Sequence, residues 1–139
     1  MSSNDRLVIY PGKGIGPIQL GMHPQRVVSV FREKQVYESW MGGNLNDAIL
    51  FHGMCLHFDE CNSAGPLPSA RLSWMRIHQR EDAYLFDRLL TEWTKDSIYD
   101  WLDAEGYSPE ILANGDILTK KPYLELSFDS SENLWLETA

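Results

Sequence analysis

The sequence predicts an α+β protein of two tandem repeats, each with its helix or helices packed on one face of a small antiparallel sheet. Three observations carry that expectation. Amphipathic helical stretches and short alternating strands are interleaved along the chain rather than segregated. Two segments recur at a nearly constant interval. "MHPQRVVSVF" (Met22–Phe31) aligns with "WTKDSIYDWL" (Trp93–Leu102) at an offset of 71, which brings His23/Thr94, Val27/Ile98, Val30/Trp101 and Phe31/Leu102 into step. "MCLHFD" (Met54–Asp59) aligns with "LELSFD" (Leu124–Asp129) at an offset of 70. Finally, 139 residues with 43% hydrophobic content suffice for one core or two small coupled ones. The repeats are placed at 1–82 and 83–139, with sheets that can run on into one curved surface.

The opening stretch, "YPGKGIGPIQLGMHP", is dense in glycine. A phosphate-binding loop needs Lys followed by Ser or Thr after its glycines, but Lys13 precedes most of them. A dinucleotide fingerprint fails on the spacing of Gly12, Gly14 and Gly16, and on Pro17. The stretch therefore reads as a lead-in, with Ile18 and Leu20 extended and Gly21 turning the chain. "HPQRVVSVFREK" then reads as a helix, with His23 at the cap, Pro24 in the first turn and Val27, Val30 and Phe31 as its apolar stripe.

"AILFH" and "MCLHFDE" are strands parted by Gly53, "CNSAGPLPS" is a loop, and "ARLSWMRIH" is a further strand. "EDAYLFDRLLTEW" reads as helical, with Leu85, Phe86, Leu89, Leu90 and Trp93 on one side. "TKDSIYDWLDAEG" is a second helix, capped by Thr94 and stopped by Gly106. "EILANGDILT" signals a hairpin with a type I′ turn at Asn114-Gly115. "YLELSFD" and "LWLETA" close the chain around "SSEN".

Charge is uneven. Residues 1–80 hold six acids and eight bases, whereas 81–139 hold fourteen acids and four bases, a net of −10 within an overall −8. That balance argues against nucleic acid as partner. It fits a basic protein partner, or a solvated acidic surface. No segment has the apolar length to span a bilayer, and "MSSNDRLVIYPG" has no signal-peptide core, so the expected location is cytoplasmic, with no membrane partner. Two cysteines make no secreted disulfide framework.

Catalytic residues are not expected. No G-x-S-x-G elbow occurs, and neither cysteine has a signature around it. Cys55, His57, Cys61 and His52 lack metal-ligand spacing, so a buried thiol beside a surface histidine is the expectation, with no metal and no cofactor. Asp96, Asp100 and Asp103 share a helix face, either as a solvated stripe or as a landing surface for basic side chains. Strand parity is more informative. Leu124, Leu126 and Phe128 should face the helices, leaving Tyr123, Glu125 and Ser127 outward beside Trp135 and Glu137. Cys55 and His57 should point the same way, joined by Trp74 and Arg76. Trp, Tyr and Arg dominate interface energetics, which favours a protein-binding face over a seam between repeats.

"G-I-G-x-I-x-L-G-M-x-x-x-x-V-x-x-F" followed by "G-M-x-L-x-F-D" resembles the β-lactamase-inhibitor-like repeat. That repeat also occurs in outer-membrane lipoproteins of the SmpA/OmlA type and in cytoplasmic immunity proteins encoded beside bacterial polymorphic or contact-dependent toxins. The match is best over residues 14–31 and 54–59. Lacking a signal sequence and lipobox cysteine, this chain is nearer the inhibitor and immunity members. The resemblance implies a non-enzymatic protein that binds and occludes a cognate toxin, whose blocked surface would be basic. The alternatives are an adaptor or chaperone for a secreted effector, and a small enzyme with a pocket between repeats. An exposed aromatic sheet face also leaves a homodimer open.

Overall fold

The apolar alternation in "MCLHF", "LSWMRIH", "YLELSF" and "LWLET" builds the strands that organise the molecule. The computed structural model describes residues 7–35, 46–78 and 80–139. The leader reading of residues 1–6, and Trp40 among the five tryptophans, lie outside them. The strands are β1 (Leu7–Tyr10), β2 (Gly14–Ile15), β3 (Ile18–Gln19), β4 (Ala48–Phe51), β5 (Met54–Phe58), β6 (Cys61–Asn62), β7 (Gly65–Pro66) and β8 (Leu72–His78). There follow β9 (Ala83–Leu85), β10 (Arg88–Leu89), β11 (Glu110–Ile111), β12 (Ile117–Lys120), β13 (Tyr123–Phe128) and β14 (Leu134–Thr138). Helix α1 spans Pro24–Val30 and α2 spans Lys95–Ala104.

Seven strands form one sheet in the order β11-β12-β13-β14-β8-β5-β4, antiparallel throughout. At its centre β14 lies against β8, with Leu136 opposite Ile77 and Glu137 opposite Arg76, so strands from both halves share the sheet. A smaller sheet has the order β10-β9-β1-β2-β3 and contains one parallel pairing, β1 with β9. The fold is thus mixed α+β and predominantly sheet.

One face of the large sheet is apolar. Met54, Leu56, Met75, Ile77, Leu124, Leu126 and Leu136 are buried there. Val27 of α1 and Phe31 at its C-cap, Ile98 and Leu102 of α2, and Ile9, Ile15, Ile18 and Leu85 of the small sheet join the same core. The helices and small sheet therefore form a second layer over that face. Each fully buried aliphatic side chain contributes about 2 kcal/mol. Phe128, expected inside, is half-buried at the sheet end.

Local signals explain the ends of α2. Thr94 Oγ1 accepts from Ser97 N–H at 3.1 Å while Ser97 Oγ accepts from Thr94 N–H at 2.9 Å, a reciprocal cap. Tyr107 N–H reaches Leu102 O and Gly106 N–H reaches Asp103 O, a Schellman closure with Gly106 at φ +86°. Gly53 is needed for a different reason. Its φ is +70°, and a Cβ there would meet His78 O at 2.7 Å.

Several sequence expectations are corrected. Residues 83–92 are not helical: β9 and β10 form a hairpin, followed by a 3₁₀ turn at Leu90–Glu92. Its two-residue loop, Phe86-Asp87, has φ of 52° and 64°, the backbone of a type I′ turn. The strand pairing of β9 with β1 overrides helical periodicity. The "CNSAGPLPS" loop contains the small β6–β7 hairpin. At Asn114-Gly115 only Gly115 has positive φ, and Gly115 N–H bonds Leu112 O. That is a type I turn closed by a glycine bulge, not the two-residue I′ turn. α1 stops at Val30, because Phe31 turns extended, and His23 occupies the N-cap without side-chain capping. His23 Nδ1 instead lies 2.9 Å from Ala70 O.

Candidate functional site

The outer face of the seven-stranded sheet gathers eight of the sequence-predicted residues. Cross-strand registers place Glu125 beside Glu137 and Ser127 beside Trp135. They place Glu137 beside Arg76, His57 beside Trp74, and Lys120 beside Tyr123. Tyr123, Glu125, Ser127, Trp135, Glu137, Trp74 and Arg76 are half-buried. These seven and His57 thus share one side of the sheet, and the core lies on the other.

Two stacks stiffen this face. His57 lies on Trp74 with centroids 3.6 Å apart and planes 4° apart, and His78 lies on Trp135 at 3.4 Å and 17°. Between them Arg76 pairs with Glu137, its Nε 2.9 Å from Oε1, with its guanidinium 5.4 Å from the Trp74 ring centroid. Trp135 Nε1 donates to Asp129 Oδ2 at 3.3 Å. Tyr123 OH donates to Glu125 Oε1 at 2.9 Å; burial first, then this bond, pushes the phenol up to about 12. The N–H of Asn133, ahead of the Trp135 indole and Ser131, holds Asp129 below the usual carboxylate range.

The surface histidine expected at position 57 is corrected. His57 keeps only 4% exposure because Trp74 crosses over its ring. Its Nε2 is 3.1 Å from Cys55 Sγ and its Nδ1 is 3.2 Å from Asp47 Oδ2, a Cys–His–Asp line. The line has the contacts of an activated thiol without the electrostatics of one. Burial pushes the Cys55 thiol up to about 12, against the pull of Arg76, and Cys55 has no exposed surface. Burial also lowers the His57 pKa, outweighing the hydrogen bond to Asp47. The thiol is therefore protonated and inaccessible, and the line serves as a packed polar connection.

Cys61, on β6, is exposed, and His52 is exposed on the β4–β5 turn. Among the described residues, no three His, Cys, Asp or Glu side chains surround a common point that could hold a metal ion.

Asp96, Asp100 and Asp103 are brought to a different surface. All three are exposed on α2, whose Ile98 and Leu102 enter the core. Because α2 covers the inner side of the sheet, the acidic stripe and the aromatic face lie on opposite sides of the molecule.

Sequence reasoning missed three further groups. His78 follows Arg76 by two residues and so shares its face, a signal that strand parity contains. Arg80, 3% exposed, directs all five N–H groups to acceptors: Nε and Nη2 to Asp82, Nη1 and Nη2 to Glu33, and Nη1 also to His52 O at 2.7 Å. Burial alone would lower its pKa, but the two carboxylates hold it above the ordinary arginine value. Phe86, Trp93, Trp101 and Tyr107 form an aromatic cluster beside α2, with Arg88 over Trp93 at 4.3 Å. No single motif marks either group, since their members come together only through the hairpin and turns.

Among the described residues no helix is long and apolar enough to cross a membrane. No family model, curated protein or solved structure matches the chain.

Proposed function

We propose that this protein is a stoichiometric inhibitor, an immunity protein that binds and occludes a cognate bacterial toxin in the cytoplasm and catalyses no reaction. The outer sheet face carries this reading. It displays Trp74, Trp135, Tyr123 and Arg76, the residue types that anchor interfaces, interleaved with Glu125 and Glu137. The two His–Trp stacks and the Arg76–Glu137 pair order these side chains in advance, which lowers the entropy cost of association. The partner surface is basic in this reading, because 81–139 carries fourteen acids against four bases. Asp96, Asp100 and Asp103 then act at long range. Reversing their charge slows association and alters its salt dependence, with little change in dissociation.

The same reading takes the chain as a tandem duplication, 1–82 and 83–139. A short hairpin precedes each helix (β2–β3 before α1, β9–β10 before α2), and each half then supplies a three-stranded unit, β4-β5-β8 or β12-β13-β14. The closing strands of the two units meet at the sheet centre, which supports the duplication.

Capture with the tagged protein from the lysate of the cell that makes it, followed by co-expression, tests the function. One basic partner, lethal alone and harmless beside this chain, is the expected result. A captured partner that is harmless alone sinks the inhibitor reading and favours an adaptor. Capture of a second copy alone would assign the face to a homodimer.

A further inference from the structure

We propose that the partner presents an arginine, whose guanidinium enters the cleft bounded by Arg76, Asp116, Glu125, Ser127, Trp135 and Glu137. The proposal rests on the inhibitor reading and gives it a contact chemistry. The cleft, of about 250 Å³, opens on the outer sheet face where β8, β13 and β14 run side by side. Three carboxylates line it against one guanidinium. Arg76 is bound to Glu137, so it offsets one of them. Among the described residues no cation pairs with Glu125 or Asp116.

Both remaining carboxylates are held in place by neutral donors. Tyr123 OH reaches Glu125, and Asn114 Nδ2 reaches Asp116 Oδ2 at 3.1 Å. Each carboxylate offers about four lone-pair sites, so one such bond leaves acceptor capacity for an incoming cation. A guanidinium suits this arrangement better than an ammonium. Its rigid fork can span two acceptors, and its flat, weakly hydrated surface packs against an indole such as the Trp135 wall. Among the described residues no three His, Cys, Asp or Glu side chains are grouped to hold a metal ion, and the surplus of carboxylates excludes a phosphate. The cleft thus fits a protruding arginine of a basic protein.

The test uses the full ¹⁵N-labelled chain titrated with a nona-arginine peptide, with nona-lysine and nona-citrulline as comparators, read in the amide and indole spectrum. Saturable shifts of the Trp135 indole and the Ser127 amide are expected with arginine, weaker ones with lysine and none with citrulline. Glu125→Gln with Asp116→Asn should raise the apparent Kd by about tenfold or more, as loss of charge-assisted hydrogen bonds implies. Ser127→Arg, which fills the cleft with its own cation, should abolish the shifts, and thermal melts confirm that both variants fold. Shifts confined to α2 around Asp96, Asp100 and Asp103, equal binding of lysine, or binding undiminished in both variants each overturn the proposal. If the doubly substituted protein still neutralises a captured toxin at wild-type affinity, the cleft is wrong and the inhibitor reading survives. Arginine binding at the cleft by a protein that rescues nothing supports the cleft and defeats the inhibitor reading.

Discussion

Cys55 sits 3.1 Å from a histidine that in turn contacts Asp47, yet its thiol is pushed up to about 12. Strand parity predicted that Cys55, His57, Trp74 and Arg76 share one face. It could not give their depth, which depends on Trp74 arriving from β8, which starts at Leu72 well after β5 ends at Phe58. In the folded protein a thiol reagent such as Ellman's should therefore titrate Cys61 rapidly and Cys55 only on denaturation. Rapid loss of two thiols without denaturant would contradict this. The histidines make a second prediction at this scale. Burial lowers the pKa of His57, against Asp47 and Glu137 and with Arg76, and lowers that of His78, against Asp129. The unfolded chain, with histidines near about 6.5, then binds more protons than the folded one once pH drops below that value. This contribution to stability is complete above about 6.5 and is lost as pH falls toward the folded-state values. The melting temperature should decline between pH 8 and 5, and His57→Gln should flatten that decline; an unchanged pH slope in the variant would refute the assignment.

At the scale of elements, α2 was legible because each of its signals is local: Thr94 before the apolar stripe, Ile98 and Leu102 within it, Gly106 after it. Thr94→Ala removes the reciprocal cap and should cost about 1 kcal/mol in urea unfolding. The β9–β10 hairpin was illegible for the opposite reason. Leu85, Leu89 and Leu90 mimic helical spacing, and Phe86-Asp87 lacks the glycine or asparagine that marks a type I′ turn. What holds Phe86 at φ 52° is tertiary: it stacks on Trp101 at 4.0 Å and meets Trp93 edge-on at 6.3 Å. Two effects oppose each other in Phe86→Gly. Relief of left-handed strain returns about 1 kcal/mol, while losing a core ring costs about 3 kcal/mol or more and somewhat less when half-buried. Net destabilisation of about 1 to 2 kcal/mol is expected from the same measurement, and a stabilised variant would show that the ring contributes nothing.

At the scale of the whole molecule, the recurrence at offsets of 71 and 70 pointed to paired helix-and-strand units, and one antiparallel sheet does draw on both halves. The sequence carried no trace of the joints between them, because the β8–β14 pairing and the parallel β1–β9 pairing are made by residues about sixty to seventy-five positions apart. Neither half has its own version of these joints. The fragment 83–139 should be disordered alone by circular dichroism and regain structure when mixed with 1–82; a cooperative melt of 83–139 by itself would count against this. The ends of the described chain make a third joint, where Gly12 N–H donates to Thr138 Oγ1 at 2.6 Å and that hydroxyl donates to Tyr123 O. During synthesis β1 emerges well before β9 and waits for it, and β8 waits likewise for the central strand β14. A prematurely terminated chain lacking β14 keeps half of β8 unpaired and its apolar face open to proteases. Chains that carry β14 would then accumulate and those cut short before it would be degraded, with Thr138 as the latch that separates the two.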